Sequence, residues 1–141
     1  MSGINTGKVI TGGLVAGLVY NVFDMISGLL ILVEDFRANA ERLGLDPAAM
    51  ESAAGMTTWV VIDFLLGLLV VWTYAAIRPR FGPGPRTAAY AGLVLYLAVT
   101  LILFGLTQGG MMTMALFVKM SIISIFTTVI GAMAGAWVYN E

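Results

Sequence analysis

Residues 56–77 read MTTWVVIDFLLGLLVVWTYAAI, an apolar segment in which Asp63 is the single charged residue. A helix needs about 20 predominantly apolar residues to cross a bilayer. Three further segments of this character are found at residues 9–33, 87–107 and 111–139. Their apolar residues do not alternate with polar ones, as they would in the strands of a membrane barrel. The sequence therefore predicts an all-α integral membrane protein, a single four-helix bundle domain over residues 1–141.

The composition excludes a soluble enzyme. Of the 141 residues, 60% are hydrophobic and 11% are charged, whereas soluble domains are roughly 45–50% apolar and about a quarter charged. The chain contains no histidine and no cysteine, which removes the commonest acid–base and metal-binding side chain and all thiolate chemistry. We therefore expect no enzymatic activity, no metal ion and no other cofactor.

Charge placement predicts the orientation of the spans. Lys8 precedes the first apolar segment, and Arg78, Arg80 and Arg86 lie between the second and third, in stretches without acidic residues. In residues 34–55, between the first two spans, acidic residues outnumber the arginines. Basic residues are concentrated on the cytoplasmic side of membrane proteins. Both termini and the arginine-containing loop are predicted to be cytoplasmic, in a bacterial inner membrane.

The two charged connections differ in predicted structure. After Phe36 the outer connection continues in helix-forming residues, Gly44 is placed to end that helix, and Asp46 followed by Pro47 is typical of a new helix start. A short helical hairpin is therefore predicted to project on the outer side. Residues 78–86, RPRFGPGPR, contain three prolines and are predicted to be non-helical. This loop is interpreted as a rigid turn contacting anionic lipids or, alternatively, as a docking loop for a partner or a phosphate group.

Three segments carry a resemblance to a known group of proteins. They are RPRFGPGP at residues 78–85, GLVAG at residues 13–17 and GAWVY at residues 135–139. With them the chain resembles small bacterial four-span membrane proteins that are themselves uncharacterised. The resemblance implies the same architecture and supplies no site residues.

Ionisable side chains inside membrane spans are rare and mark functional sites by default. Here they are Asp24, Asp63 and Lys119, each about 10–13 Å from the outer end of its span at 1.5 Å per residue. We predict an intramembrane polar cluster of these three residues with Asn21. One interpretation is a buried ion pair that fixes the helix register. The alternative is a site for a proton or cation, since two carboxylates would share one ammonium group.

Stripes of small residues predict close helix contacts. Gly13, Gly17 and Gly28 share a face of the first span with Asn21 and Asp24. In the last span Gly131 and Gly135 form a GxxxG pattern about 150° around the helix from Lys119. If Lys119 enters the bundle, the glycines face outward to another helix. In the alternative, the glycines pack inside and Lys119 reaches an acid of a partner.

These patterns lead to two functional hypotheses. The first is a non-enzymatic, helix-associating subunit, either a homo-oligomer or part of a larger membrane complex. The second is a small proton- or cation-coupled transporter or channel that uses the two aspartates and the lysine. In both cases the predicted partners are the lipid bilayer and other membrane subunits, and no nucleic acid.

Overall fold

The structure, a computed structural model, describes residues 3–139, apart from the side chain of Met50. Within that range the chain is helical, without strands. The helices are α1 (Thr6–Ile26, continued by a π-helical turn at Ser27–Ile31), α2 (Val33–Arg42), α3 (Pro47–Met50), α4 (Ala53–Phe81), α5 (Pro85–Gln108) and α6 (Met114–Val138). Thr6–Ile31, α4, α5 and α6 are each long and apolar enough to cross a membrane. The predicted all-α architecture with four helices able to span a membrane is confirmed.

The long helices begin at capping residues rather than at the edges of the apolar segments. At the start of α4, the Ser52 hydroxyl accepts a hydrogen bond from the Gly55 N–H at 3.1 Å. At the start of α6, the Thr113 hydroxyl accepts from the Leu116 N–H at 3.3 Å. Pro85 occupies the first turn of α5, where its missing N–H costs nothing. Since caps decide where a helix can begin, α4 starts before the predicted residue 56, and α6 starts after the predicted residue 111.

The expectation that residues 78–86 are non-helical is wrong for six of the nine, since 78–81 end α4 and 85–86 begin α5. α4 continues through Pro79 to Phe81. Proline removes one backbone donor, and the last turn is still closed by the Gly82 N–H, which donates to the Arg78 carbonyl at 2.9 Å. The true connection is residues 82–84, where Gly82 and Gly84 have φ values of 83° and 119° that favour glycine.

Glycines bring the backbone of α1 close to both of its neighbours. α1 packs against α4 and α6, and α5 packs mainly on α6. A Cβ atom on Gly67 of α4 would lie 2.8 Å from the Gly17 Cα of α1, and one on Gly135 of α6 would lie 2.8 Å from the Gly12 carbonyl oxygen. Close approach at small residues is the usual way for membrane helices to gain packing energy. These contacts hold the bundle together.

The densest packing lies in the half of the bundle that carries residues 3 and 139. There the first turns of α1 and α5 meet the last turns of α4 and α6. The buried core contains mostly small and aromatic residues, among them Ala16, Tyr20, Val71, Tyr74, Ala88, Ala91, Ala132 and Tyr139. Toward the opposite end fewer side chains are buried: α5 has no buried residue after Leu95, and α6 has none between Leu116 and Thr127. The bundle is therefore closed at the end that carries residues 3 and 139 and looser at the other.

The α2–α3 segment is tied to the connection between α5 and α6. Gly44, with φ of 70°, follows the end of α2, and the Asp46 side chain caps α3 by accepting from the Ala48 N–H at 3.0 Å. Both features agree with the sequence analysis. The Asn39 amide donates to the Met111 carbonyl at 3.1 Å, and Arg42 donates to the Gly110 carbonyl at 2.9 Å. α2 is therefore fastened to the turn that precedes α6.

Candidate functional site

Asp24 and Asp63 meet where α1 crosses α4. A Cβ on Gly17 would lie 3.2 Å from the Asp63 carbonyl oxygen, so the two backbones are in contact about two turns before Asp24. Asn21 bridges the same crossing, since its amide donates to the Gly17 carbonyl at 2.9 Å and to the Val60 carbonyl at 3.4 Å. The Asp24 and Asp63 side chains lie within hydrogen-bonding reach of each other. The structure thus brings together three of the four predicted cluster residues.

The two carboxyl groups have different environments. Asp63 is buried, with 4% of its surface exposed, whereas Asp24 is exposed within the spanning part of α1. Among residues 3–139, neither carboxyl forms an ion pair with a lysine or arginine. The side chain of Asp63 therefore lies inside the bundle, while Asp24 can be reached from outside it.

Lys119 is not a member of this cluster, contrary to the sequence-based expectation. Its Nζ atom binds both carboxylate oxygens of Asp35 at 2.8 Å. Two facts explain the error. α6 begins at Met114 rather than at residue 111, so Lys119 is only about 7.5 Å along the helix. In addition, α2 carries Asp35, which lies in the acidic connection between the first two spans, to the same end of α6.

Adjacent carboxylates without a basic neighbour restrict what this site can do. In a low-dielectric environment two neighbouring carboxylates cannot both keep a full charge unless something compensates them. The compensating species can be a proton, a small cation or a basic side chain from another protein. Divalent calcium or magnesium requires at least six oxygen ligands in a defined arrangement. Within the described part of the chain, no group of three or more metal-ligating side chains is found.

The predicted helix-association glycines are mostly used inside the bundle. Gly131 lies under the ring of Tyr20, and Gly135 lies against Val71. Gly13 packs on Leu68 of α4 in the same way. The arrangement in which Lys119 enters the bundle and the glycine stripe of α6 faces outward is therefore wrong. The alternative arrangement, in which the glycines pack inside the bundle, is correct for Gly131 and Gly135. The acid that Lys119 binds is Asp35 of the same chain and not an acid of a partner.

Two of the predicted glycines remain to be placed. Gly17 contacts Phe64 of α4, where a Cβ would lie 2.6 Å from the ring. At Gly28, in the π-helical turn, a Cβ would meet no atom within 4 Å among the described residues. Tyr20 is not among the residues predicted from the sequence, and its hydroxyl donates to the Thr128 carbonyl at 3.3 Å. The sequence feature that could have indicated Tyr20 is its position one helical turn before Asp24 in the first span.

The three predicted loop arginines have different surroundings. The guanidinium of Arg78 stacks over the ring of Tyr139, with Cζ 5.8 Å from the centroid. Arg86 donates from Nε to the Tyr90 hydroxyl at 2.7 Å. Arg80 is exposed. Arg78 and Arg86 are therefore held by aromatic side chains, and Arg80 extends from the last turn of α4.

Comparison of the chain with protein-family models, with curated proteins and with solved structures gave no match. The resemblance to small bacterial four-span proteins therefore remains a prediction.

Proposed function

We propose that the protein is a non-enzymatic subunit that works by associating with other helices in a bacterial inner membrane. Its termini are cytoplasmic and its α2–α3 segment lies on the outer side. The distribution of charge supports this orientation, since Lys8, Arg78, Arg80 and Arg86 lie at the end with the termini. The absence of histidine and cysteine from the sequence supports a role without catalysis.

The observation that carries the proposal is the exposure of Asp24. A carboxylate at the surface of a bundle within a membrane span is costly, at about 2.5–3.5 kcal/mol on insertion scales. Asp24 has no basic partner among the described residues, and its neighbour Asp63 is a second acid. A basic side chain from an associated helix would compensate both carboxylates. That helix belongs to a second copy or to another subunit, because no lysine or arginine among the described residues pairs with either carboxyl group.

The test compares Asp24→Asn with Glu41→Gln, which removes an exposed acid from α2. Native mass spectrometry after solubilisation in a mild detergent measures the mass of each assembly. We expect the wild type and Glu41→Gln to share one oligomeric or mixed assembly, and Asp24→Asn to yield a folded protomer. A monomeric wild type, or an Asp24→Asn assembly of unchanged mass, would contradict the proposal.

The second candidate function is proton- or cation-coupled transport. It is favoured by the proximity of the Asp24 and Asp63 side chains, because one proton or monovalent cation shared between two carboxylates compensates one of their two charges without a partner protein. Asp24 would connect this position to one side of the bundle, and the aromatic core around Tyr74 and Tyr139 would close the other. Lys119, bound to Asp35, would take no part in it.

Ion flux into liposomes distinguishes the two functions. The purified protein is reconstituted with an internal pH indicator, and an imposed gradient of protons, sodium or potassium is applied in turn. Transport predicts a flux that Asp63→Asn abolishes and Glu41→Gln preserves. An absence of flux for all three gradients, with the protein folded and inserted, would exclude this candidate and leave the association proposal.

A further inference from the structure

The acidic side chains inside the spans are not balanced by basic ones. Asp63 has 4% of its surface exposed, and no lysine or arginine among residues 3–139 pairs with its carboxyl group. Asp24 lies beside it on the crossing helix and is itself exposed. A buried carboxylate without a basic partner is costly, so this position requires a positive group that the rest of the described chain does not supply.

A second copy of the chain would bring no additional positive charge to this position. Of the seven lysines and arginines, Lys119 is the one that lies more than a helical turn inside a spanning helix. Every homo-oligomer therefore keeps one Lys119 for each set of Asp24, Asp63 and Asp35. Because Lys119 holds both carboxylate oxygens of Asp35 at 2.8 Å, moving it to an aspartate of a neighbouring copy would leave Asp35 without this partner.

The other six basic side chains lie at the wrong depth. Asp24 is about 27 Å along the helix from the start of α1. Four basic residues lie at the opposite end of the spans from the α2–α3 segment: Lys8, Arg78, Arg80 and Arg86. Copies in one membrane share one orientation, so these four stay at that end in a second copy. Arg37 and Arg42 belong to α2, after the end of the spanning helix, and both are hydrogen-bonded there.

The face of α1 that carries Asp24 also has room for another helix. Gly28 lies one turn after Asp24, and a Cβ on it would meet no atom within 4 Å among the described residues. Gly13 and Gly17, earlier on the same face, are instead packed against side chains of α4. Since small residues let membrane helices approach closely, α1 offers an unfilled position for close contact next to its exposed acid.

We propose that Asp24 binds a membrane helix of a different protein, and that this helix carries a lysine or arginine at the depth of Asp24. That depth is about 10 Å from the end of the span at Ile31. The basic group pairs with the exposed Asp24 carboxylate and also compensates Asp63, which lies behind it. This inference rests on the association function proposed above, and it narrows the two kinds of assembly to the mixed one.

The experiment measures the binding of designed single-span helices to the purified protein in detergent micelles, by energy transfer between labels. The probe is a helix of leucine and alanine with one lysine at the depth of Asp24, and its matched controls carry leucine or glutamine there. We expect the wild type to bind the lysine helix about tenfold more tightly than either control, the size of a strong polar contact between membrane helices. Asp24→Asn should lose this preference, and Glu41→Gln should keep it.

Three outcomes would overturn the inference. The first is a lysine helix that binds no better than the glutamine helix, since the site would then not select charge. The second is a wild-type assembly, dissociated by Asp24→Asn, whose mass is a whole multiple of the mass of this chain. Second copies would then occupy the site, and the association function would stand. The third is an Asp24→Asn assembly of unchanged mass, which would overturn the association function together with this inference.

Discussion

Replacing Gly67 by alanine tests how closely α1 and α4 are packed. The added Cβ would meet the Gly13 carbonyl oxygen and the Gly17 nitrogen, and would lie 2.8 Å from the Gly17 Cα. Since ordinary contact begins at 3.4 Å, the two helices would have to separate by at least about 0.6 Å. Overpacking of a core typically costs about 1–3 kcal/mol. We expect about 3 kcal/mol for this substitution, because backbone atoms cannot turn aside as a side chain can.

The free energy of unfolding is measured by titrating SDS into mixed micelles. Energy transfer between labels on α1 and α4 monitors the unfolding. The chain has no cysteine of its own, so single cysteines can be introduced for labelling. Gly105→Ala is the matched control, since a Cβ at this exposed position of α5 meets no atom within 4 Å. It should be neutral or stabilising by up to about 1 kcal/mol. A Gly67→Ala protein as stable as Gly105→Ala would refute this close contact between the two backbones.

Three further perturbations have expected outcomes. Gly131→Leu should lower the stability of the bundle, measured by thermal unfolding, and should leave the mass of the folded assembly unchanged in native mass spectrometry. A change of mass without a loss of stability would contradict this expectation. Lys119→Gln should speed amide exchange in α2 by up to about fivefold, because the half-exposed ion pair with Asp35 contributes at most about 1 kcal/mol. Lys119→Arg keeps the positive charge and should leave the exchange rate unchanged. Arg37 lowers the pKa of Glu51, so the ionised pair stabilises the α2–α3 segment above Glu51's ordinary pKa, about 4.3. That stabilisation disappears as the pH falls through the lowered value. Exchange in this segment should therefore accelerate in acid, and a Glu51→Gln variant with the same pH profile as the wild type would exclude the pair as its cause.

Much of the fold was predictable from local sequence. Apolar segments longer than a bilayer requires have to be helical, because lipid offers no partner for backbone polar groups. Gly44 and Asp46 mark the turn between α2 and α3 for equally local reasons. The prediction that Pro79 is non-helical was wrong, because a proline near the end of a helix is tolerated when other hydrogen bonds close the last turn.

The candidate site was predictable in part. Counting residues from the ends of the spans placed Asp24 and Asp63 at one depth, and their side chains do meet. The same count gave the wrong depth for Lys119, because α6 begins at Met114 and not at residue 111. The count also could not include α2, which brings Asp35 to Lys119. The contact between Lys119 and Asp35 joins residues 84 positions apart, and no pattern along the chain encodes it.

The sequence by itself determined that the chain forms four apolar helices, and it determined which spans contain charge. Those properties depend on the length and composition of each segment, so each segment has them independently of the others. Only the tertiary structure decided which face of each helix is buried and which partner each charge has. Rotating a helix about its axis changes neither its length nor its hydropathy, but it turns Gly131 toward Tyr20 and leaves Asp24 exposed. Close contact between neighbouring backbones selects one rotation, and that selection requires all four helices together.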